Sequence, residues 1–203
     1  MSVLILILAA VLYAVVHSWL ATLGVKKKAR KFFGPNTDRW YRLAYNIFAG
    51  ISFLPILFLL AVLPDQRVYL VRTPWVVLFG LGQLVGVVVI ILGIWQTDAW
   101  HFIGIKQIFN GQEHPQNQEL NIRGLYGWVR HPLYTGGLIF IWFSPVMTVN
   151  LLALFTILTL YLVIGAKLEE KRLIHEYGPA YREYQLRVPM LLPKLWFNRG
   201  QTN

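Results

Sequence analysis

Long apolar runs restrict the fold of this sequence more than any other feature. The hydrocarbon core of a bilayer is about 30 Å thick, and roughly 20 helical residues cross it. Only 14% of the residues are charged, against about 25% in soluble domains. Because lipid offers the backbone no hydrogen-bond partners, the runs must be helical. The sequence therefore predicts an all-α, polytopic membrane protein that forms a single domain over residues 1–203. Its five transmembrane helices are expected at about residues 3–23, 43–63, 74–95, 132–146 and 150–166.

The last two expected helices come from one apolar block that is too long for a single crossing. The segment SPVMTVN, residues 144–150, lies in its middle. It contains a proline, an asparagine and two hydroxyl residues, which favour turns. We therefore expect a tight turn here and an antiparallel helical hairpin on either side of it.

The basic residues are distributed unevenly along the chain. All but two of the 19 Lys and Arg residues fall on one side of a five-span topology, the exceptions being Arg67 and Arg72. The positive-inside rule then places the N-terminus outside and the C-terminus in the cytoplasm. Because the first basic residues follow the first apolar run, that run is expected to be a retained span and not a signal peptide. Topology and contact with anionic lipid account for the net charge of +10, so nucleic acid is not needed.

Polar residues gather in two cytoplasmic regions, residues 98–134 and 167–193. Ligand binding or catalysis is expected in these two regions. The chain has no cysteine, which excludes disulfides, thiolate metal sites and a cysteine nucleophile. His101, His114 and His175 lack the convergent spacing of metal ligands, so no metal site is predicted.

The stretch RHPLYTGG, residues 130–137, lies at the start of the fourth expected span. Pro132 suits the first turn of a helix, which leaves Arg130 and His131 at the helix mouth. Counted from the middle of the following turn, His131 lies about 16 residues back and Glu169 about 22 forward, within a turn or two of each other at about 1.5 Å per residue. The spacing thus brings Arg130 and His131 opposite Glu169 and Glu170.

The two glycines of this stretch, Gly136 and Gly137, suit close approach of a neighbouring helix or of a ligand. Packing against the fifth span is the structural alternative. For Glu169 and Glu170, solvated charge at the membrane interface is the corresponding alternative.

The tail that follows carries apolar and aromatic residues at helical spacing. The pattern favours an interfacial helix with an aromatic belt over a surface that stacks on a ligand. A break is expected at Gly178 and Pro179. The residues are Leu173, Tyr177, Tyr181, Tyr184 and Val188.

Three polar residues are isolated within the expected spans. Asn46 and Gln83 are expected to form hydrogen bonds between helices. His17 fits a buried structural histidine at least as well as a substrate contact.

Two stretches near the end of the sequence resemble a known family. GLYGWVRHPLYTGG, residues 124–137, followed by EEKRLIHEYGPAYREYQLRVPMLLP, residues 169–193, is similar to the C-terminal signature of the isoprenylcysteine carboxyl methyltransferase and phospholipid methyltransferase superfamily of membrane enzymes. The likeness covers about the last 85 residues. Upstream, HSWLA, YRLAYN and FIGIKQI resemble the methanethiol S-methyltransferase and NnrU-like branch.

This resemblance implies an integral membrane methyltransferase that uses S-adenosylmethionine at the cytoplasmic face of a bacterial or archaeal inner membrane. Its acceptor would be a small or lipophilic thiol, lipid amine or carboxylate, with no obligatory protein partner. The implied catalytic residues are Arg130, His131, Glu169 and Glu170. The implied cofactor contacts are Gln118, Glu119, Leu120, Asn121, Tyr126, His131, Pro132, Leu133, Tyr134 and Glu169.

One position departs from the family pattern. In the prenylcysteine carboxyl methyltransferases an Arg four residues before the first Glu of the pair meets the substrate, and here that position is Gly165. A carboxylate acceptor would therefore lose its clearest partner. The departure favours a neutral or lipid-like acceptor.

Two other functions stay open at this point. A sterol-reductase-like enzyme that uses NADPH would share a similar His-Pro stretch and hairpin, although the Glu pair disfavours it. A non-catalytic NnrU-like accessory protein would keep the fold without methyl transfer.

Overall fold

The computed structural model describes residues 1–97, 100, 103–110 and 120–193, and the protein is nearly all-α in these ranges. Two short strands and a 3-10 helix, Gly124–Gly127, accompany the helices. In chain order the elements are α1 Ser2–Leu20, α2 Leu23–Phe33, α3 Thr37–Val62, β1 Arg67–Leu70, α4 Trp75–Gln96, α5 Ile105–Asn110, α6 Pro132–Trp142, β2 Val146–Thr148, α7 Val149–Tyr177 and α8 Pro179–Arg187.

Within the described ranges, four helices are long and apolar enough to cross a membrane, namely α1, α3, α4 and α7. The fourth expected span begins at Pro132 as predicted, but α6 has only 11 residues, about 16 Å of helix. In contrast, α7 continues beyond the expected end at residue 166 to Tyr177. Its apolar stretch therefore leads directly into a charged helical end.

The expected tight turn at SPVMTVN contains a short strand, so the protein is nearly all-α. Residues Val146–Thr148 form β2, which pairs antiparallel with β1, and Leu70 is opposite Val146. The segment does join two helices, but the backbone of β1 supplies it with hydrogen bonds that a sequence-local turn cannot reveal. β-Branched Val146 and Thr148 also suit a strand.

The chain divides into two compact units, and the first comprises Met1–Val71, Thr97–Asn117 and Val146–Leu158. Its core contains Leu6, Ala10, Ile56 and Leu154. The start of α7 is capped within this unit, because the carboxylate of Asp65 accepts a hydrogen bond from the backbone N–H of Asn150 at 3.0 Å. First-turn N–H groups have no partner inside a helix, so this cap fixes where α7 begins.

The isolated polar residues of this unit behave as structural groups. The Tyr45 hydroxyl lies 2.6 Å from His17 Nε2, and the His17 ring stacks on Tyr13. Asn46 donates from Nδ2 to the carbonyl of Ile103 at 2.8 Å, which connects α3 with the chain just before α5. These contacts agree with the structural expectation for His17 and Asn46.

The second unit comprises Arg72–Gln96, Gln118–Pro145 and Thr159–Asn203, and α4 and α6 pack closely within it. A Cβ at Gly136 would lie 2.8 Å from the Gly86 carbonyl oxygen, so glycine is required at this crossing. Gln83 also donates to the carbonyl of Phe140 at 3.3 Å, as an interhelical residue should. The expected packing against the fifth span is thus corrected for Gly136, which contacts α4. Gly137 has open space around it.

Candidate functional site

The N-terminal end of α6, which we call its mouth, is held by residues 189–191. These residues follow α8, and we call them the tail. Pro132 occupies the first turn of α6, so the two preceding residues have backbone groups outside the helix. The N–H of Arg130 donates to the carbonyl of Pro189 at 2.9 Å, and that of His131 donates to Met190 at 3.1 Å. The Thr135 hydroxyl donates to the carbonyl of Leu191 at 2.6 Å. The tail therefore lies along the mouth and fixes its backbone.

Three side chains meet at this mouth, and we call His131, Tyr134 and Glu169 the open cluster because Glu169 is exposed, although the His131 side chain is only 6% exposed. The Tyr134 hydroxyl donates to Glu169 Oε2 at 3.1 Å, and His131 Nδ1 lies 3.6 Å from the same oxygen. The rings of His131 and Tyr134 stack, with centroids 5.3 Å apart and planes 6° from parallel. The Glu169 side chain is 41% exposed. The predicted proximity of His131 and Glu169 is confirmed.

A second group lies directly beside the first, and we call Arg130, Glu170 and Gln185 the buried cluster. Arg130 Nε donates to Glu170 Oε1 at 2.6 Å, and Gln185 Nε2 donates to Glu170 Oε2 at 2.8 Å. Arg130 Nη1 also donates to the carbonyls of Gln185 and Val188. The Arg130 and Glu170 side chains are each 10% exposed, so they mainly satisfy one another.

Electrostatics in the buried cluster keep Glu170 ionised. Glu170 lies in the charged end of α7, beyond its apolar stretch. Burial alone would raise the pKa of this carboxyl, but the hydrogen bond and charge of Arg130, the amide of Gln185 and the nearby His131 outweigh burial and lower it. A buried carboxylate that is fully hydrogen-bonded in this way is a stable structural charge.

The tyrosines of α8 close the protein side of the buried cluster. Tyr181 and Tyr184 are 1% and 7% exposed, and the Tyr184 hydroxyl donates to the carbonyl of Tyr126 at 2.6 Å. Burial raises the pKa of Tyr184 to about 12, although the charge of Arg130 acts in the opposite direction. The expected interfacial aromatic belt is therefore wrong for these two residues, which pack inside the protein. The break at Gly178 and Pro179 is confirmed, since α8 begins at Pro179.

The segment before the mouth lines a cavity. Its described lining residues are Leu120, Asn121, Ile122 and Arg123, and its volume is about 400 Å³. This is within the usual range of small-molecule pockets. Asn121 Nδ2 donates to the carbonyl of Gln96 at 3.1 Å, and the N–H of Leu125 donates to Gln96 Oε1 at 3.0 Å. The last residue of α4 thus shapes this segment.

The remaining implied contacts differ in position. Leu133 directs its side chain at α4, where it meets Gly93, and the residue is partly buried. Pro132 is buried, and Tyr126 is partly buried within the 3-10 helix. Gln118 and Glu119 lie outside the described residues, as do His101 and His114.

Sequence reasoning missed Gln96 and Gln185. Both are single glutamines without a repeated spacing. The available signal for Gln185 was its place beside Tyr184 and four residues after Tyr181, which puts a polar group near the buried face of α8.

The open cluster has the chemistry of a cation and aromatic receptor. A partly exposed carboxylate attracts an ammonium or binds hydroxyl groups. Stacked aromatic faces attract cations and flat rings. The buried cluster has no comparable freedom, because Arg130 and Gln185 occupy both oxygens of its carboxylate.

The sequence is also similar to several known proteins. The family model for phospholipid methyltransferases matches residues 81–180. A methanethiol S-methyltransferase from Pseudomonas sp. strain GM41 is 32% identical over 209 residues, covering 100% of this chain and 76% of the relative. That of Pseudomonas deceptionensis is 33% identical, covering 98% and 76%. That of Mycobacterium tuberculosis is 28% identical, covering 89% and 74%. No solved structure gives a significant match.

Proposed function

Because the chain belongs to the phospholipid methyltransferase family and is an integral membrane methyltransferase, we propose that it uses S-adenosylmethionine and binds this donor at the open cluster. The observation that carries the proposal is the Glu169 carboxylate, which is 41% exposed and lies beside the stacked rings of His131 and Tyr134. The methyltransferase relatives favour this activity over a reductase or a non-catalytic accessory protein.

The residues present fit the chemical groups of this donor. Bound S-adenosylmethionine supplies an electrophilic methyl group on a sulfonium, together with an ammonium, a carboxylate and an adenine. Glu169 suits the ammonium or the ribose hydroxyls, and the ring pair of His131 and Tyr134 suits a cation or the adenine. Leu120 and Asn121 line a cavity of about 400 Å³, a suitable size for part of the donor. Gln118, Glu119, Tyr126, and the backbone at Pro132 and Leu133 complete the proposed contact set.

For the acceptor we propose a small thiol. The relatives are named methanethiol S-methyltransferases, and Gly165 leaves a carboxylate acceptor without the Arg of the prenylcysteine enzymes. The acceptor sulfur forms a bond to the methyl carbon while the carbon–sulfonium bond breaks, which yields a thioether, S-adenosylhomocysteine and a proton. Such a displacement depends on orientation and exclusion of water more than on a nucleophilic side chain.

We further propose that the chain crosses the membrane five times, with the N-terminus outside and the site facing the cytoplasm. Two observations support this arrangement. Arg130 contacts Glu170 at one end of α7, whereas β2, immediately before the other end, pairs with β1. Residues 149–169 extend roughly 30 Å at 1.5 Å per residue, the thickness of a hydrocarbon core. α6 and residues 143–148 would then complete the fifth crossing in a bacterial or archaeal inner membrane.

The topology can be tested by labelling, because the chain has no natural cysteine. Gln66→Cys lies before β1 and Arg123→Cys lies before the site. In intact cells, a membrane-impermeant maleimide should label Gln66→Cys, and Arg123→Cys only after the membrane is opened. The reverse pattern would overturn the proposed orientation.

The donor site is tested by calorimetry with S-adenosylmethionine and by transfer of a labelled methyl group. Wild-type protein should bind the donor and methylate methanethiol in preference to lipid amines, prenylcysteine analogues and phenols. Glu169→Gln should lose donor affinity. Glu183→Gln is the matched control, because Glu183 is exposed and pairs with Arg187 on α8. Equal donor affinity in the two variants would exclude Glu169 from the site.

A further inference from the structure

We infer that Gln185 is a positioning residue of the methyl-transfer site and holds Glu170 as a fixed anchor, so that Glu169 stays open to the donor. This inference rests on the proposed function. Gln185 lies beyond residue 180, where the match to the family model ends. Its role follows from contacts within this chain.

Gln185 contacts both partners of the buried ion pair. Its side-chain amide donates to Glu170 Oε2 at 2.8 Å, and its backbone carbonyl accepts from Arg130 Nη1 at 3.1 Å. Arg130 Nε occupies the other oxygen, Oε1, at 2.6 Å. Donors from two different segments thus hydrogen-bond to both oxygens of Glu170, and Oε1 also lies 3.3 Å from His131 Nε2.

The fixed position of Glu170 determines the direction of Glu169. Consecutive residues of a helix point about 100° apart. When Arg130 and Gln185 hold Glu170 on the protein side of α7, Glu169 is turned toward Tyr134, whose hydroxyl it accepts at 3.1 Å. Gln185 therefore acts on the donor through Glu169, without touching the donor itself.

His131 is the residue through which a change at Glu170 can affect the donor site. Its Nε2 lies 3.3 Å from Glu170 Oε1 and its Nδ1 lies 3.6 Å from Glu169 Oε2. The ring is thus shared between the two carboxylates. Without the amide of Gln185, Glu170 keeps Arg130 and His131 at Oε1 but loses its donor at Oε2, so its carboxylate can turn and change its contact with His131. The stacked pair of His131 and Tyr134 would then shift from the donor site.

Two substitutions of the full-length protein separate this role from simple packing. Gln185→Met keeps the size but removes the donor, and should raise the KM for S-adenosylmethionine about tenfold, the effect of one hydrogen bond to a charged group, with a smaller change in kcat. Gln185→Glu places a carboxylate against Glu170. Like charges at this distance share a proton as the pH falls, and the shared proton restores the hydrogen bond.

The pH profile is therefore the deciding measurement. The charged and titratable groups around Glu170 are Arg130, His131, Glu169, Tyr181 and Tyr184, and all of them are retained in both variants. Between pH 8 and pH 5, the donor affinity of Gln185→Glu should recover relative to wild type, while that of Gln185→Met should stay low. Unchanged KM in Gln185→Met, or no recovery in Gln185→Glu, would overturn the inference.

Controls separate this inference from the proposed function. Gln83→Met removes a glutamine hydrogen bond between α4 and α6 and should leave the KM for the donor unchanged. Melting temperatures of the donor-free variants across the same pH range report the contact with Glu170 directly. If wild-type protein transfers no methyl group, the proposed function fails. The melting temperature of Gln185→Glu then still tests the contact. A recovery at low pH supports the contact, and no recovery refutes it.

Discussion

Glu169 and Glu170 are neighbours in the chain, yet they belong to regions with opposite properties. The open cluster leaves Glu169 41% exposed beside two stacked rings. The buried cluster leaves Glu170 10% exposed, with both oxygens hydrogen-bonded. In the proposed function the two carboxylates divide their work, with Glu169 binding the ligand and Glu170 stabilising the fold. The resemblance implied catalytic roles for Arg130 and Glu170 as well, and their contacts instead favour anchoring.

The largest expected effect comes from removing the cation of the buried cluster. Arg130→Met leaves Glu170 as a buried charge without its ion-pair partner, which should lower the free energy of unfolding by about 3–5 kcal/mol. Thermal unfolding in detergent measures this loss of stability. Arg182→Met, on the exposed side of α8, is the control and should change little. Similar melting temperatures for the two variants would refute an anchoring role for Arg130.

A smaller effect is expected from exchanging each glutamate in turn. Glu169→Gln should weaken donor binding by about 1.5–3 kcal/mol, the value of a hydrogen bond to a charged group, and leave the melting temperature unchanged. Glu170→Gln should lower the melting temperature, because Arg130 loses its partner. Calorimetry and thermal unfolding of both variants provide the test. The division of work fails if the two variants change the same quantity.

The Tyr134 hydroxyl should have a weaker influence on the open cluster. Tyr134→Phe keeps the ring that stacks on His131 but removes the hydrogen bond to Glu169. Donor affinity should fall by about 1 kcal/mol, roughly fivefold. Phe in place of Tyr161, on the apolar part of α7, serves as the control. A loss as large as that of Glu169→Gln would mean that Tyr134 touches the donor directly.

The smallest expected effect is the response of the buried cluster to acid. The folded protein lowers the pKa of Glu170, so the ionised group contributes stability above its unfolded pKa, about 4.3. That contribution is lost as the pH falls through the lower folded pKa. Melting temperatures between pH 6 and pH 3 should therefore decline less steeply in Glu170→Gln than in wild type. Identical slopes would contradict the assigned environment of Glu170.

Much of this arrangement follows from local sequence signals. Apolar length identified the four long helices, Pro132 identified the start of α6, and counting along the hairpin brought His131 to Glu169. These inferences need only helical rise and the chemistry of single positions. They do not depend on how distant segments pack.

The rest depends on non-local contacts. Spacing could not decide which glutamate is buried, because that choice depends on the rotation of α7, and the residues that contact Glu170, Arg130 and Gln185, lie elsewhere in the chain. The prediction of an interfacial aromatic belt was wrong for the tyrosines of α8 for a related reason. An amphipathic pattern that buries Tyr181 against protein is the same as one that would bury it in a lipid interface. β1 and β2 could not be predicted from the sequence either, since strands of three or four residues show no clear alternating pattern.

The docked tail also has a consequence for biosynthesis. Arg130 enters the growing chain 55 residues before Gln185 and 58 before Val188, whose carbonyls it binds. Until those residues have been made, the guanidinium and the carboxylate of Glu170 cannot reach their final set of partners. The helices can insert in the membrane earlier, but the site is completed only after residues 185–188 have been made. Newly made protein should therefore become competent for donor binding only after the tail has docked.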